Sequence, residues 1–244
     1  MSAARPVVLV HGALHGAWCW AAVQAELDRR GVASYAVDLP GHGASTDELA
    51  DLLGNAAALA RAVDRVRERA SRPAVLVGHS YGGTVIGEAA RPGAVDHLVF
   101  VAALVTEVGE SANDTIGALP RAPEAASSRP VFVRHPDGNV GVDPEAALPV
   151  FYNASPPAVA AAAAARLCRQ RPASLGQPAT QAAWRRLAST YVRCTQDRAI
   201  PPAAQDRLVA RLPAPAVVTL QSDHSPFFCA PAALAEVLAS LAQR

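Results

Sequence analysis

A chain of 244 residues is long enough to bury about 70% of its unfolded surface in one large domain, with room left for an enclosed pocket. Hydrophobic residues make up 51% and charged residues 18%, yet the longest apolar run, AVAAAAAARLC at 158–168, is alanine-rich and broken by Arg166, so it reads as a helix and no membrane span is expected. The net charge is +1 with arginines scattered along the chain, which gives no support for binding nucleic acid or an anionic membrane, and the absence of lysine excludes lysine chemistry.

In chain order, short apolar runs rich in β-formers alternate with helical patterns, the signature of an α/β class fold with a mostly parallel sheet of about six strands flanked by helices. PVVLV (6–10) predicts a strand, Trp18 to Arg30 a helix, ASYAVD (33–38) a strand and Glu48 to Arg69 a long helix. AVLVGH (74–79) and HLVFVAA (97–103) predict two further strands, with a helix from Tyr81 to Arg91 between them. From Thr106 to about Ser189 the rhythm fails: an HPDGNV turn separates VFVR from VGV and suggests a hairpin, and helices are expected over Pro157 to Arg169 and Gln177 to Leu187. So long a tract predicts a lid packed over the carboxyl edge of the sheet, with 106–189 inserted between core segments 1–105 and 190–244. The rhythm then returns as strand YVRCTQ (191–196), helix Pro201 to Arg211, strand AVVTLQ (216–221) and helix Ala230 to Gln243.

Residues 78–82, Gly-His-Ser-Tyr-Gly, match G-x-S-x-G. Alone this pattern is weak, but here it follows AVLV and precedes a helical pattern, the context of a nucleophile elbow in which a sharp strand-to-helix turn exposes a serine hydroxyl above the sheet. A serine at neutral pH needs a base, and the base an orienting acid. Asp197, just past the strand YVRCTQ, and His224, just past AVVTLQ, stand at successive strand ends in the required order, so Ser80, His224 and Asp197 are the candidate catalytic residues. Each has a plainer reading. Asp197 before the proline-started helix could be only a cap, with Glu107 as the substitute acid, while Asp223 is expected to point away from its neighbour His224. Six other histidines compete for the base, and only His224 holds the required place in chain order.

An oxyanion hole needs two preorganised N–H donors. The His-Gly turn in VVLVHGALHGAW places the N–H of Ala13 where it can face that of Tyr81, although a plain turn would read the same. Trp184, Phe227 and Phe228 are candidates to line an apolar pocket and equally candidates for core packing. Cys19, Cys168, Cys194 and Cys229 form no C-x-x-C pair, so buried thiols are expected and neither a metal nor a cofactor is. No hydrophobic core with a cleavage site precedes the first strand, which predicts a cytoplasmic protein.

VLVHGALHGAWCW, VDLPGHGAS, VLVGHSYGG, LVFVAAL and DHSPFF together resemble the α/β-hydrolase superfamily, and within it the lidded group of plant methyl-ester esterases and hydroxynitrile lyases with their bacterial relatives. The resemblance implies the triad Ser80, Asp197, His224, the donors Ala13 and Tyr81, and relatives that often pair as homodimers. Related cyanide-releasing enzymes carry a threonine at the position of Gly12 and a lysine at that of Ser225, and both are absent here. The expectation is a cofactor-free serine hydrolase of a small uncharged carboxylic ester or lactone, acting through an acyl-enzyme. A lyase on the same triad and a hydrolase-derived ligand receptor are the alternatives.

Overall fold

The computed structural model describes residues 4–120 and 132–244. Its strands are β1 (Val7–Val10), β2 (Ser34–Val37), β3 (Ala74–His79), β4 (Val95–Val101), β5 (Phe132–Arg134), β6 (Val140–Val142), β7 (Ala188–Cys194) and β8 (Ala216–Leu220). Six of them form one parallel sheet in the order β2-β1-β3-β4-β7-β8, and β5 pairs with β6 as an antiparallel hairpin. The chain runs outward from β1 to β2 and then crosses back to β3 on the other side of β1, leaving a crevice at the carboxyl ends of β1 and β3. Val10 is in register with Gly78, so the turns that follow these two strands emerge side by side.

The helices are α1 (Ala21–Arg29), α2 (Leu52–Ala70), α3 (Gly82–Ala89), α4 (Ala112–Gly117), α5 (Pro144–Phe151), α6 (Pro157–Ala164), α7 (Pro172–Gly176), α8 (Pro202–Val209), α9 (Pro226–Cys229) and α10 (Pro231–Gln243). Successive strand residues face opposite sides, which divides the core in two. Val8, Val10 and Leu76 pack with Leu59 and Val63 of α2 and Ile86 of α3, whereas Val7, Leu9, Val75 and Val77 pack with Leu27 of α1 and Leu238 of α10. Each fully buried Val or Leu contributes roughly 1.5–3 kcal/mol, so the central strands are anchored from both faces. A third cluster joins Leu14, in the turn after β1, to Val150 and Phe151 of α5 and Ala160 and Ala163 of α6. No helix among the described residues is long and apolar enough to cross a membrane.

Several expected elements move. The first helical stretch opens as a 3-10 turn, Ala17–Trp20, before α1. α2 begins at Leu52 because the Asp51 side chain caps it, accepting from the Gly54 N–H at 2.8 Å. Ala188 and Ser189 already belong to β7, so the irregular tract ends at Leu187. Residues 121–130 of that tract, and Val131 of the VFVR run, lie outside the described residues. The helix expected from Pro157 to Arg169 stops at Ala164, after which the chain extends until Gln170 bridges to Val140. The helix expected from Gln177 to Leu187 is absent apart from a 3-10 turn at Ala183–Arg185. Gln177 precedes Pro178, which disfavours the helical region for it, and its ψ is 129°. The N–H groups of Thr180 and Gln181 then donate to the Glu88 carboxylate at 2.8 and 2.9 Å, holding this stretch open across α3. The short helices α4, α5, α7 and α9 were not expected; α4 owes its start to a capping box between Ser111 and Asp114, and α5 to the Asp143 cap and Pro144.

Candidate active site

Ser80 sits in the tight turn between β3 and α3 with φ +51°, a left-handed conformation that costs a side chain of order 1 kcal/mol or more. Its own backbone holds it there: its N–H donates to the Val101 carbonyl at 3.2 Å, and its carbonyl accepts from the N–H groups of Gly83 and Leu104, both at 3.0 Å. The flanking glycines are steric necessities. A Cβ on Gly78 would stand 2.5 Å from the Gly82 carbonyl oxygen, and one on Gly82 would stand 2.7 Å from that of His11.

His224 lies in the turn between β8 and α9, and Asp197 in the turn between β7 and α8. The two are joined, His224 Nδ1 donating to Asp197 Oδ2 at 2.8 Å with both side chains buried. Asp197 is a cap as well, because its Oδ1 accepts from the N–H groups of Ala199 and Ile200 at 2.8 and 2.9 Å. With Nδ1–H committed to the carboxylate, Nε2 is the ring nitrogen left to accept a proton. Ser80 and His224 line one cavity of about 830 Å³, within the usual range for small-molecule sites. No hydrogen bond joins them among the described residues, and such contacts commonly tighten when substrate binds.

Ala13 and Tyr81 line the same cavity, and among the described residues neither N–H has a partner within the protein. The Gly12–Ala13 peptide is held from behind by His11, whose Nδ1 donates to the Gly12 carbonyl at 2.8 Å while its Nε2 accepts from the Leu39 N–H at 3.1 Å. Gly12 has no room for a side chain: a Cβ there would stand 2.8 Å from His79 Nδ1 and 2.9 Å from the Ser80 Cβ.

The substitutes for base and acid are occupied elsewhere. Glu107 pairs with Arg185 at the surface. Asp223 accepts from the Ala154 N–H and Ser155 Oγ, both at 2.8 Å, and from the Ser225 N–H at 2.9 Å, which ties the α5–α6 loop to the β8 turn. His79 is fully buried beside His224, ring centroids 4.6 Å apart, and donates from Nε2 to the His224 carbonyl at 2.7 Å. His15, one of the six histidines competing for the base, lines the cavity; its Nδ1 donates to the Ala13 carbonyl and its Nε2 accepts from the Tyr152 hydroxyl, both at 2.8 Å.

Of the two readings open to Trp184, Phe227 and Phe228, pocket or core, the structure takes the core. Trp184 is buried in the α2–α3 core layer, donating to the Thr106 carbonyl at 3.0 Å, because its segment lies against α3. Phe227 fills the opposite layer against Trp20, and Phe228 stacks on Trp18. The apolar lining comes instead from Leu104, Ile116, Leu119, Val150, Phe151 and Leu175, with Arg198 the one arginine on it among the described residues. Among those residues no cluster of three His, Cys, Asp or Glu suits a metal ion, and the four cysteines are free.

Burial lowers the pKa of His15 to about 4 and holds those of His11 and His79 well below the usual imidazole value. The unfolded chain therefore takes up protons that the fold refuses, so the stability gained from keeping these rings neutral is complete above about pH 6.5 and is lost on acidification towards 4, by up to about 3 kcal/mol for His15 alone. Urea midpoints measured from pH 8 down to 4.5 are expected to fall across that window; a flat or rising midpoint would contradict the buried neutral cluster.

A model of the Alpha/beta hydrolase family matches residues 7–237. The chain is 29% identical over 232 residues to the alpha/beta hydrolase nvfD of Aspergillus novofumigatus (strain IBT 16806), covering 90% of this chain and 89% of that protein. It is 26% identical over 255 residues to the putative methylesterase 13, chloroplastic, of Arabidopsis thaliana, where 99% of this chain spans 57% of the relative's length. The crystal structure of a pyrethroid hydrolase from Sphingobium faniae JZ-2 superposes with a TM-score of 0.79 at 27% identity, over 98% of this chain and 97% of that one.

Proposed function

As an esterase belonging to the alpha/beta hydrolase family, this chain, we propose, cleaves a small uncharged carboxylic ester or lactone through Ser80, His224 and Asp197. The observation that carries this reading is the 2.8 Å bond from His224 Nδ1 to Asp197, made on a cavity that also holds Ser80. It leaves Nε2 as the base that removes the serine proton as Oγ attacks the ester carbonyl. The N–H groups of Ala13 and Tyr81 receive the developing oxyanion, and collapse of the tetrahedral intermediate expels the alcohol, protonated by the imidazolium. Water, deprotonated by the same Nε2, then hydrolyses the acyl-enzyme and restores the serine.

Two features support the substrate class. The cavity wall is mainly apolar, and the one arginine on it among the described residues, Arg198, is exposed, which supports an uncharged acyl group over a strongly ionic one. The tract between β4 and β7 supplies Ile116, Val150, Phe151 and Leu175 to that wall, and this supports reading it as the lid that shapes the pocket.

A panel of p-nitrophenyl, methyl and lactone esters of graded acyl size tests the proposal, together with mass spectrometry after a fluorophosphonate probe. Turnover of short neutral esters and a single adduct on the Ser80 peptide are expected. Release of aldehyde from a cyanohydrin without ester hydrolysis, or tight saturable binding without turnover, would replace this reading with a lyase or a receptor.

A further inference from the structure

Leu14 follows the oxyanion candidate Ala13 and has φ +67°, a conformation its branched side chain disfavours. Both of its backbone polar groups are held by one stretch of the tract between β4 and β7. Its N–H donates to Gln170 Oε1 at 3.1 Å, and its carbonyl accepts from the Cys168 N–H at 2.8 Å. Gln170 is fully buried, and its backbone is itself fixed by paired hydrogen bonds with Val140 at 2.7 and 2.9 Å.

The side chain is equally constrained. Gln170 Nε2 donates to Ser174 Oγ at 2.5 Å, and that hydroxyl donates onward to the Arg171 carbonyl at 2.7 Å, while Oε1, which accepts from the Leu14 N–H, also stands 3.0 Å from His42 Nε2. The Ala13–Leu14 peptide is therefore gripped at both polar groups, its N–H by Gln170 and its carbonyl by His15. The peptide before it is held by its carbonyl alone, on His11, and this leaves the Ala13 N–H free to face the cavity.

We propose that Gln170 is a positioning residue for the oxyanion hole: anchored on Ser174, its amide holds the Leu14 N–H and so fixes where the Ala13 N–H points. This rests on the hydrolytic reading above. It also makes the tract that walls the pocket a structural part of the catalytic apparatus, because Gln170 and Ser174 both belong to that tract. A small displacement at such a site lowers the rate without weakening ground-state binding, since the oxyanion exists only near the transition state.

Gln170→Leu, close in volume, removes the bonds to Leu14, Ser174 and His42; Gln170→Glu keeps an acceptor for Leu14. With a neutral p-nitrophenyl ester and active sites counted by fluorophosphonate titration, Gln170→Leu is expected to lower kcat by about 10- to 100-fold with KM within about twofold. The Ki of a boronic acid, which mimics the tetrahedral intermediate, is expected to rise by the same factor. Gln170→Glu should recover most of the loss. If Gln170→Leu does not fold, Ser174→Ala, which frees the amide but leaves it in place, should still lower kcat by about threefold at unchanged KM.

Unchanged kcat and Ki per titrated site in Gln170→Leu, or in Ser174→Ala where the first cannot be made, would overturn the inference, as would a folded Gln170→Glu no better than Gln170→Leu. A wild type that hydrolyses no ester would refute the hydrolytic reading instead, so the two failures are distinct.

Discussion

Ser80→Ala is expected to lower kcat by about 10⁶-fold on any ester that the wild type turns over, while the thermal midpoint stays within a few degrees. The size of the first effect follows from the chemistry: without Oγ there is no acyl-enzyme, and the oxyanion donors can accelerate only direct attack by water. The smallness of the second follows from the structure. The bonds that hold residue 80 in its turn come from its backbone N–H and carbonyl, which alanine keeps, and alanine carries the same Cβ into the same left-handed conformation. Steady-state assays with a p-nitrophenyl ester and a thermal melt measure both. A variant retaining even a hundredth of the activity would remove Ser80 from the mechanism.

Asp197→Asn is expected to lower kcat by about 10⁴-fold, because it should reverse the proton arrangement of the imidazole. The geometry dictates the direction in which the new amide sits. Oδ1 accepts from two backbone N–H groups, Ala199 and Ile200, so the asparagine oxygen must stay on that side and its NH₂ must face His224 Nδ1. An NH₂ there can only donate, which forces Nδ1 to accept and places the ring proton on Nε2, where it blocks acceptance from serine. The cap survives, so stability is expected to change much less than activity. Glu107→Gln is the matched control and should leave kcat within about twofold, since its partner Arg185 is an exposed surface contact. An Asp197→Asn enzyme with near-normal kcat, or a Glu107→Gln enzyme as impaired, would exchange the two roles.

The elements legible in the sequence are those whose neighbours in space are also neighbours in pattern. AVLVGH reads as a buried strand and forms β3 at those same residues, because each side is packed against a helix layer and almost any apolar β-former suits such a position. The same regularity carried the six-stranded order of strand and helix. The tract up to Leu187 had no such regularity. Among the described residues its α-helices are five to eight residues long and rest on caps and on contacts with distant groups, as the Glu88 carboxylate shows by holding Thr180 and Gln181 out of a helix. No local period encodes a bond of that kind.

Glycine spacing, strand ends and chain order were enough, from the sequence alone, to nominate Ser80, Asp197, His224, Ala13 and Tyr81, because those signals are short-range consequences of backbone sterics and of how a parallel sheet presents its loops. Tertiary structure alone decided which oxygen of Asp197 faces the imidazole, that Trp184 and Phe227 fill core layers, and that His15 and Gln170 stand at the cavity. Those outcomes depend on where groups distant along the chain, from 27 residues apart for Asp197 and His224 to 156 for Leu14 and Gln170, come to rest. Packing density and hydrogen-bond satisfaction settle that only once the whole chain has closed.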